Sequence, residues 1–191
     1  WLSRGPRVRL PAESIRDQAL ALAGLLSDKM YGPPVRPPQP DGLWKKVGGE
    51  PLEYEVSPGE DRSRRGIYIV WKRASPYPSL MNFDATARLA CQVTRSRTNT
   101  PMQALTLLND PVYVEAARAL AERLRKVEAH RPLDERLRLA FEHCLTRSPV
   151  RDELAVLVDL WQSQRDAAGD ESAWQAVATA LLNLDETITK E

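Results

Sequence analysis

The spacing of apolar and polar positions divides the chain near residue 99. Beyond that point the pattern is regular. PMQALTLLN (101–109) has no charge and reads as a short, fully buried helix. Tyr113, Ala116, Leu120, Leu124 and Val127 share one face of a helix over 111–127. Leu133, Leu137, Ala140, Phe141 and Cys144 do so over 133–146. Val150, Leu154, Leu157, Val158 and Trp161 do so over 150–166, and Trp174, Val177, Leu181, Leu184 and Ile188 over 172–188. Apolar residues three and four apart mark an amphipathic helix. Four such helices joined by short turns predict an antiparallel bundle.

The first half is irregular. Ile15, Ala19, Leu22 and Leu26 predict a helix over 12–29, with Pro11 at its start, where a missing N–H is harmless. Five prolines between 33 and 40 forbid helix and favour extended polyproline II, either a rigid connector or an SH3-type ligand. GIYIVWKR (66–73) is the best strand candidate, since Ile67, Ile69 and Trp71 alternate with Tyr68, Val70 and Lys72. Tyr54 and Val56 offer a partner strand. A short element is expected around SLMNFDA, and CQVTR reads as extended. The fold class is therefore mainly α (α+β): an irregular half with a small β-sheet over 1–98, then a helical bundle over 99–191, all in one domain.

The segment between the halves, SRTNTPMQALTLLNDP, is the most polar punctuation in the chain. Thr100 fits the N-cap of the 101–109 helix, Pro101 its first turn, and Gln103 the residue that reaches back: a capping box worth on the order of 1 kcal/mol. Asp110 before Pro111 fits the next N-cap, and Ser148-Pro149 repeats the device. Caps do not account for Arg95, Arg97 and Asn99 upstream. Arginines at a buried helix start make an anion site; equally, an Arg97–Asp84 ion pair or guanidinium capping of carbonyls would organise the loop.

Charge sharpens that question. Lys plus Arg is 27, Asp plus Glu is 26, and the net charge of +1 gives no whole-chain case for nucleic acid. Locally, however, residues 61–98 carry Arg62, Arg64, Arg65, Lys72, Arg73, Arg88, Arg95 and Arg97 against Asp61 and Asp84, whereas acids outnumber bases over 110–191. The tilt suits two packed regions of complementary charge, or a local anion site. Arg65, Arg73, Arg95, Arg97 and Asn99 are the candidate ligand-binding residues.

Asp84 is the candidate general acid or base, but glycoside hydrolysis needs a second carboxylate nearby. Glu53, Glu55, Glu60 and Asp61 are available without a spacing that places them. His130 and His143 have no ligand spacing, so no metal is expected. Trp44, Tyr54, Tyr68, Trp71 and Tyr77 beside arginines suit sugar or haem-edge contact, or the packing of a small sheet. Cys91 and Cys144 have no C-x-x-C or C-x-x-C-H spacing and leave redox compartment open. No run approaches the roughly 20 apolar residues of a membrane span. The chain starts at Trp1 without a basic-then-apolar leader, and reads as the C-terminal piece of something longer.

RRGIYIVWKRASPYPSLMNFDA followed by RSRTNTPMQALTLLNDPVYVEAARALAERL resembles the planctomycete domain of unknown function that closes large secreted proteins carrying cytochrome-c-like modules. AESIRDQALALAGLLSDKMYGPPV is similar to that domain's start and LLNLDETITKE to its end. The resemblance implies an extracytoplasmic setting, periplasmic or secreted, and a neighbouring c-type haem module. It supplies no catalytic residue and no cofactor for this domain. Pro11 stands where relatives often carry an Asp cap.

Two functions of different class follow. One is a non-catalytic binding and assembly module that docks other domains of the same chain, a c-type haem module among them, or an anionic ligand, through the basic middle segment. The other is an enzyme or ligand-binding domain for an extracellular anionic polysaccharide, with Asp84 and the arginines around the substrate. A deep cleft where Asp84 and Arg97 converge favours the second; a filled salt-bridge network favours the first.

Overall fold

A computed structural model describes residues 5, 7–40, 54–127 and 129–190. The fold is mainly α. In chain order it consists of β1 (Val8–Arg9), α1 (Ala12–Ala23), α2 (Pro78–Asn82), α3 (Pro101–Asn109), α4 (Pro111–Lys126), α5 (Leu133–Leu145), α6 (Arg151–Ala168), α7 (Asp170–Asn183), α8 (Asp185–Ile188) and β2 (Thr189–Lys190). Helix α4 packs on α1 and α7, and α7 on α6. Leu120, Leu137, Trp174, Val177 and Leu181 lie at the centre of one buried cluster. Each such side chain contributes about 1.5–3 kcal/mol by leaving water.

The regular half follows its periodicity, with three differences. Helix α7 stops at Asn183 instead of running to 188. Leu184 is extended, and Thr187 Oγ1 donates to the Leu181 carbonyl at 2.7 Å, closing the helix end that α8 then redirects. Helix α6 starts at Arg151, after Ser148-Pro149. The Val150 N–H donates to the Glu153 carboxylate at 2.8 Å, while Ser148 Oγ donates to Glu142. Val127 lies beyond α4 and is exposed.

The irregular half departs further. Helix α1 ends at Ala23 because Gly24 takes φ 74°, the left-handed cap conformation. Its N–H donates to Ala21 while the Leu25 N–H returns to Leu20. GIYIVWKR is not a strand: Gly66–Tyr68 form a 3₁₀ turn, and Ile69 makes a single parallel bridge to Val35. Residues 54–58 form no strand either, and Tyr54 donates its hydroxyl to the Pro37 carbonyl at 2.6 Å. The small sheet is instead β1 against β2, antiparallel, with Val8 opposite Lys190 and Arg9 opposite Thr189. Trp44 and Glu53 lie outside the described residues.

Two buried arginines organise the loops. Arg16, fully buried on α1, donates to the carbonyls of Arg64 at 2.8 Å and Arg62 at 3.0 Å. Arg64, 1% exposed, donates to the carbonyls of Lys29, Tyr31 and Pro33 and lies over the Tyr68 ring at 3.9 Å. Asp17 accepts from the Gly66 N–H at 2.7 Å. A side chain at Gly66 would meet Glu13 at 3.0 Å, so glycine permits this close approach to α1. A guanidinium has five donors and no acceptor. One such group can therefore satisfy several loop carbonyls that have no helix or sheet partner.

Candidate functional site

The loop after α2 and the segment leading to α3 enclose a cleft of about 220 Å³ with β1. Its polar lining includes Arg9, Asp84, Arg95 and Arg97. The structure thus brings together three of the residues singled out from sequence. Arg65 and Arg73 are exposed and do not line the cleft, and Asn99 is exposed on the approach to α3.

Asp84 holds φ 61°, a left-handed conformation that Asp tolerates better than most residues. Its carboxylate is engaged within the chain. It accepts from the Thr98 N–H at 2.7 Å and from the Thr98 hydroxyl at 2.9 and 3.0 Å. There is no Arg97–Asp84 ion pair. Thr98 Oγ1 also accepts from Gln103 Nε2 at 3.0 Å, and Gln103 Oε1 accepts from Arg9 at 2.7 Å. Arg9 continues to Asp185 at 3.2 Å. One line of hydrogen bonds therefore joins Asp84, Thr98, Gln103, Arg9 and Asp185, and ties the signature segment to both strands' ends of the chain.

This arrangement corrects the capping box. Thr100 makes no side-chain cap bond, and Gln103, 1% exposed, faces Thr98 and Arg9 instead of the helix start. Asp110 does cap α4, accepting from the Val112 N–H at 3.0 Å. Burial raises the Asp110 carboxyl above its ordinary range, with the Val112 N–H and Arg16 acting against it.

Arg95 pairs with Glu13 of α1 at 2.7 Å. Burial, the largest single influence, would raise the Glu13 carboxyl; the hydrogen bond and charge of Arg95, the Glu13 backbone N–H and the charge of Arg88 together outweigh it and leave it low. Arg97 is exposed and makes no hydrogen bond or ion pair among the described residues. The cleft therefore offers one uncommitted guanidinium, and no second carboxylate lines it among the described residues.

Helix α3 is not fully buried. Gln103, Thr106 and Leu107 face inward, where Thr106 Oγ1 accepts from Asn82 at 2.9 Å. Met102, Leu105 and Leu108 are 57%, 51% and 46% exposed. Val93 and Leu89, in the segment before the helix, are exposed as well. The exposed side of α3 is thus more apolar than its inward side, the reverse of an ordinary surface helix.

Sequence reasoning missed Arg9, Glu13 and Thr98. The signal for Thr98 was its place three residues before Pro101, two residues too early for a cap. Arg9 and Glu13 gave no signal, because their partners lie 82, 94 and 176 residues away. Among the described residues no group of His, Cys, Asp and Glu is placed to hold a metal, and no helix is long and apolar enough to cross a membrane.

The profile of a family described as PSD1, protein of unknown function (DUF1553), matches residues 1–161. No curated protein and no solved structure matches the chain.

Proposed function

We propose that this chain, which belongs to the PSD1 family of proteins of unknown function (DUF1553), is a non-catalytic docking and assembly module. The observation that carries the reading is the outer face of α3: Met102, Leu105 and Leu108 stand exposed on a helix without a charge. Contiguous exposed apolar surface is characteristic of interaction sites. The polar residues beneath it are spent on holding the helix in place, with Asp84 occupied by Thr98 and Gln103 by Thr98 and Arg9. A carboxylate so engaged, without a second one in its cleft, supports a structural role for Asp84 over acid–base chemistry.

The partner we assign is another domain of the same secreted, extracytoplasmic polypeptide, a c-type haem module in the first instance. This rests on the resemblance of the chain to domains that accompany such modules. Arg97, exposed in the segment that leads into α3, suits a partner with an acidic rim. No cofactor is assigned to this chain itself, and electron transfer belongs to the partner.

The test is calorimetric titration of the chain with the haem module, in wild type and in Leu105→Glu. Leu105 is exposed, so the substitution should leave the melting temperature unchanged. Saturable binding lost in Leu105→Glu supports docking at α3; unchanged binding places the contact elsewhere.

A second reading is favoured by Arg97 alone. An unpaired guanidinium in a cleft with Arg9 and Arg95 suits the carboxylate or sulfate of an anionic glycan. At about 220 Å³ the cleft is smaller than the roughly 300 Å³ at which ligand pockets begin, so it would take one anionic group, not a saccharide ring. A thermal shift by a sulfated glycan, abolished in Arg97→Ala and retained in Leu105→Glu, would favour this reading over the first.

A further inference from the structure

A larger cavity, of about 340 Å³, opens between the C-terminal end of α4 and α5. Half of its lining is basic: Arg123, Arg131, Arg136 and His143. The other half is apolar and includes Val127 and Leu139, and no carboxylate is among the described lining residues.

The basic groups are held mainly by carbonyls. Arg123 Nη1 donates to the Leu22 carbonyl at 3.1 Å, and His143 Nε2 lies at the same distance from that oxygen. Arg136 Nη2 donates to the Arg125 carbonyl at 2.8 Å, and its guanidinium lies 4.5 Å from the Trp174 ring centroid. Its Nε is buried without a hydrogen-bond partner. Arg131 reaches Glu135 at the longer separation of 3.4 Å.

A carbonyl or an aromatic face orients a guanidinium but leaves its positive charge in place. Arg123 and Arg136 each use one nitrogen on a carbonyl, so donors remain on the planar fork that matches an oxyanion in two parallel bonds. Concave walls concentrate the field of such charges. An apolar half beside three guanidinium groups asks for a ligand divided in the same way, and the volume lies within the range of small-molecule pockets.

We infer that this cavity binds a small organic oxyanion, a carboxylate or a phosphate monoester carried on an apolar body. The site is independent of the α3 face and of the cleft at Arg97.

The test is calorimetric titration of the intact chain with octanoate and with octyl phosphate, using octanol and inorganic phosphate as the two half-ligands. Arg123→Gln removes a donor. Val127→Asp puts a carboxylate into the lining at an exposed position, where folding should be unaffected. At least one octyl anion should bind saturably, and about tenfold more weakly in both variants. The tighter of the two identifies the anion. The inference is overturned if neither octyl anion binds, if either half-ligand binds as tightly as they do, or if Val127→Asp with an unchanged melting temperature leaves affinity intact.

Discussion

Replacing Gln103 by Leu tests whether the polar residues of the signature segment hold the fold through tertiary contacts. The side chain is 1% exposed and makes two bonds: it accepts from Arg9 at 2.7 Å and donates to Thr98 at 3.0 Å. A neutral hydrogen bond contributes about 1 kcal/mol and one to a charged group about 1.5–3 kcal/mol. Leucine fills much the same space, so no cavity adds to the loss. Arg9 keeps Asp185 and Thr98 keeps Asp84, so neither is stranded. The expected cost is about 2–4 kcal/mol. For a chain of this size, at about 2–4 °C per kcal/mol, that lowers the melting temperature by about 4–16 °C. Urea unfolding with an unchanged slope gives the free energy directly. Thr100→Ala is the paired control. Without a side-chain cap bond it should change stability by less than about 0.5 kcal/mol. A loss of about 1 kcal/mol at Thr100, with Gln103→Leu near neutral, would refute the tertiary network and restore the capping box.

Two further outcomes follow from the ionisable groups. The hydrogen bond from Arg147 holds the Glu153 carboxyl down at about 2, against an ordinary 4.5. A depressed carboxylate stabilises above its unfolded value, and that contribution is lost as pH falls through the folded one. Stability should therefore decline between pH 4.5 and 2 by an increment that Glu153→Gln removes, modest because the pair is solvent-screened. Burial pushes the Cys144 thiol up to about 12, whereas Cys91 is exposed, and both are free. A disulfide-exchange reagent at pH 8 should titrate one thiol per native chain and two in urea; two in the native chain would contradict the packing of α5.

The helices from α4 to α6 were legible because each carries its own three-and-four repeat and needs no distant partner to be recognised. Helix α7 was overrun because Leu184 and Ile188 keep the repeat through a break made by Thr187 hydrogen-bonding back to Leu181. GIYIVWKR has the composition of a strand, but a strand needs a ladder. Its neighbour is the proline-rich connector, where Pro33, Pro34, Pro37 and Pro38 have no N–H to give. Among the described residues of the connector, Val35 alone exchanges backbone-to-backbone bonds with it, through Tyr68 and Val70. The true sheet escaped because its two-residue strands lie at opposite ends of the sequence. Arg64 read as one charge of the basic segment and Arg16 drew no reading, since nothing local shows that a guanidinium will end buried on carbonyls. At the site, Asp84, Arg95 and Arg97 line one cleft, whereas Arg65, Arg73 and Asn99, chosen on the same grounds, lie outside it. The partners Thr98 and Glu13 were not legible, because tertiary contact alone selects them.

Docking through α3 has a built-in pair of probes. Met102 lies on the exposed face of α3, 57% accessible, and Met30, 50% accessible, lies in the connector after α1. Both should be oxidised by dilute peroxide at similar rates in the chain alone. Mass spectrometry of the two methionines, with and without the c-type haem module, is the direct measurement. The account predicts strong protection of Met102 in the complex with Met30 unchanged. Equal oxidation of both, with or without the module, would contradict it.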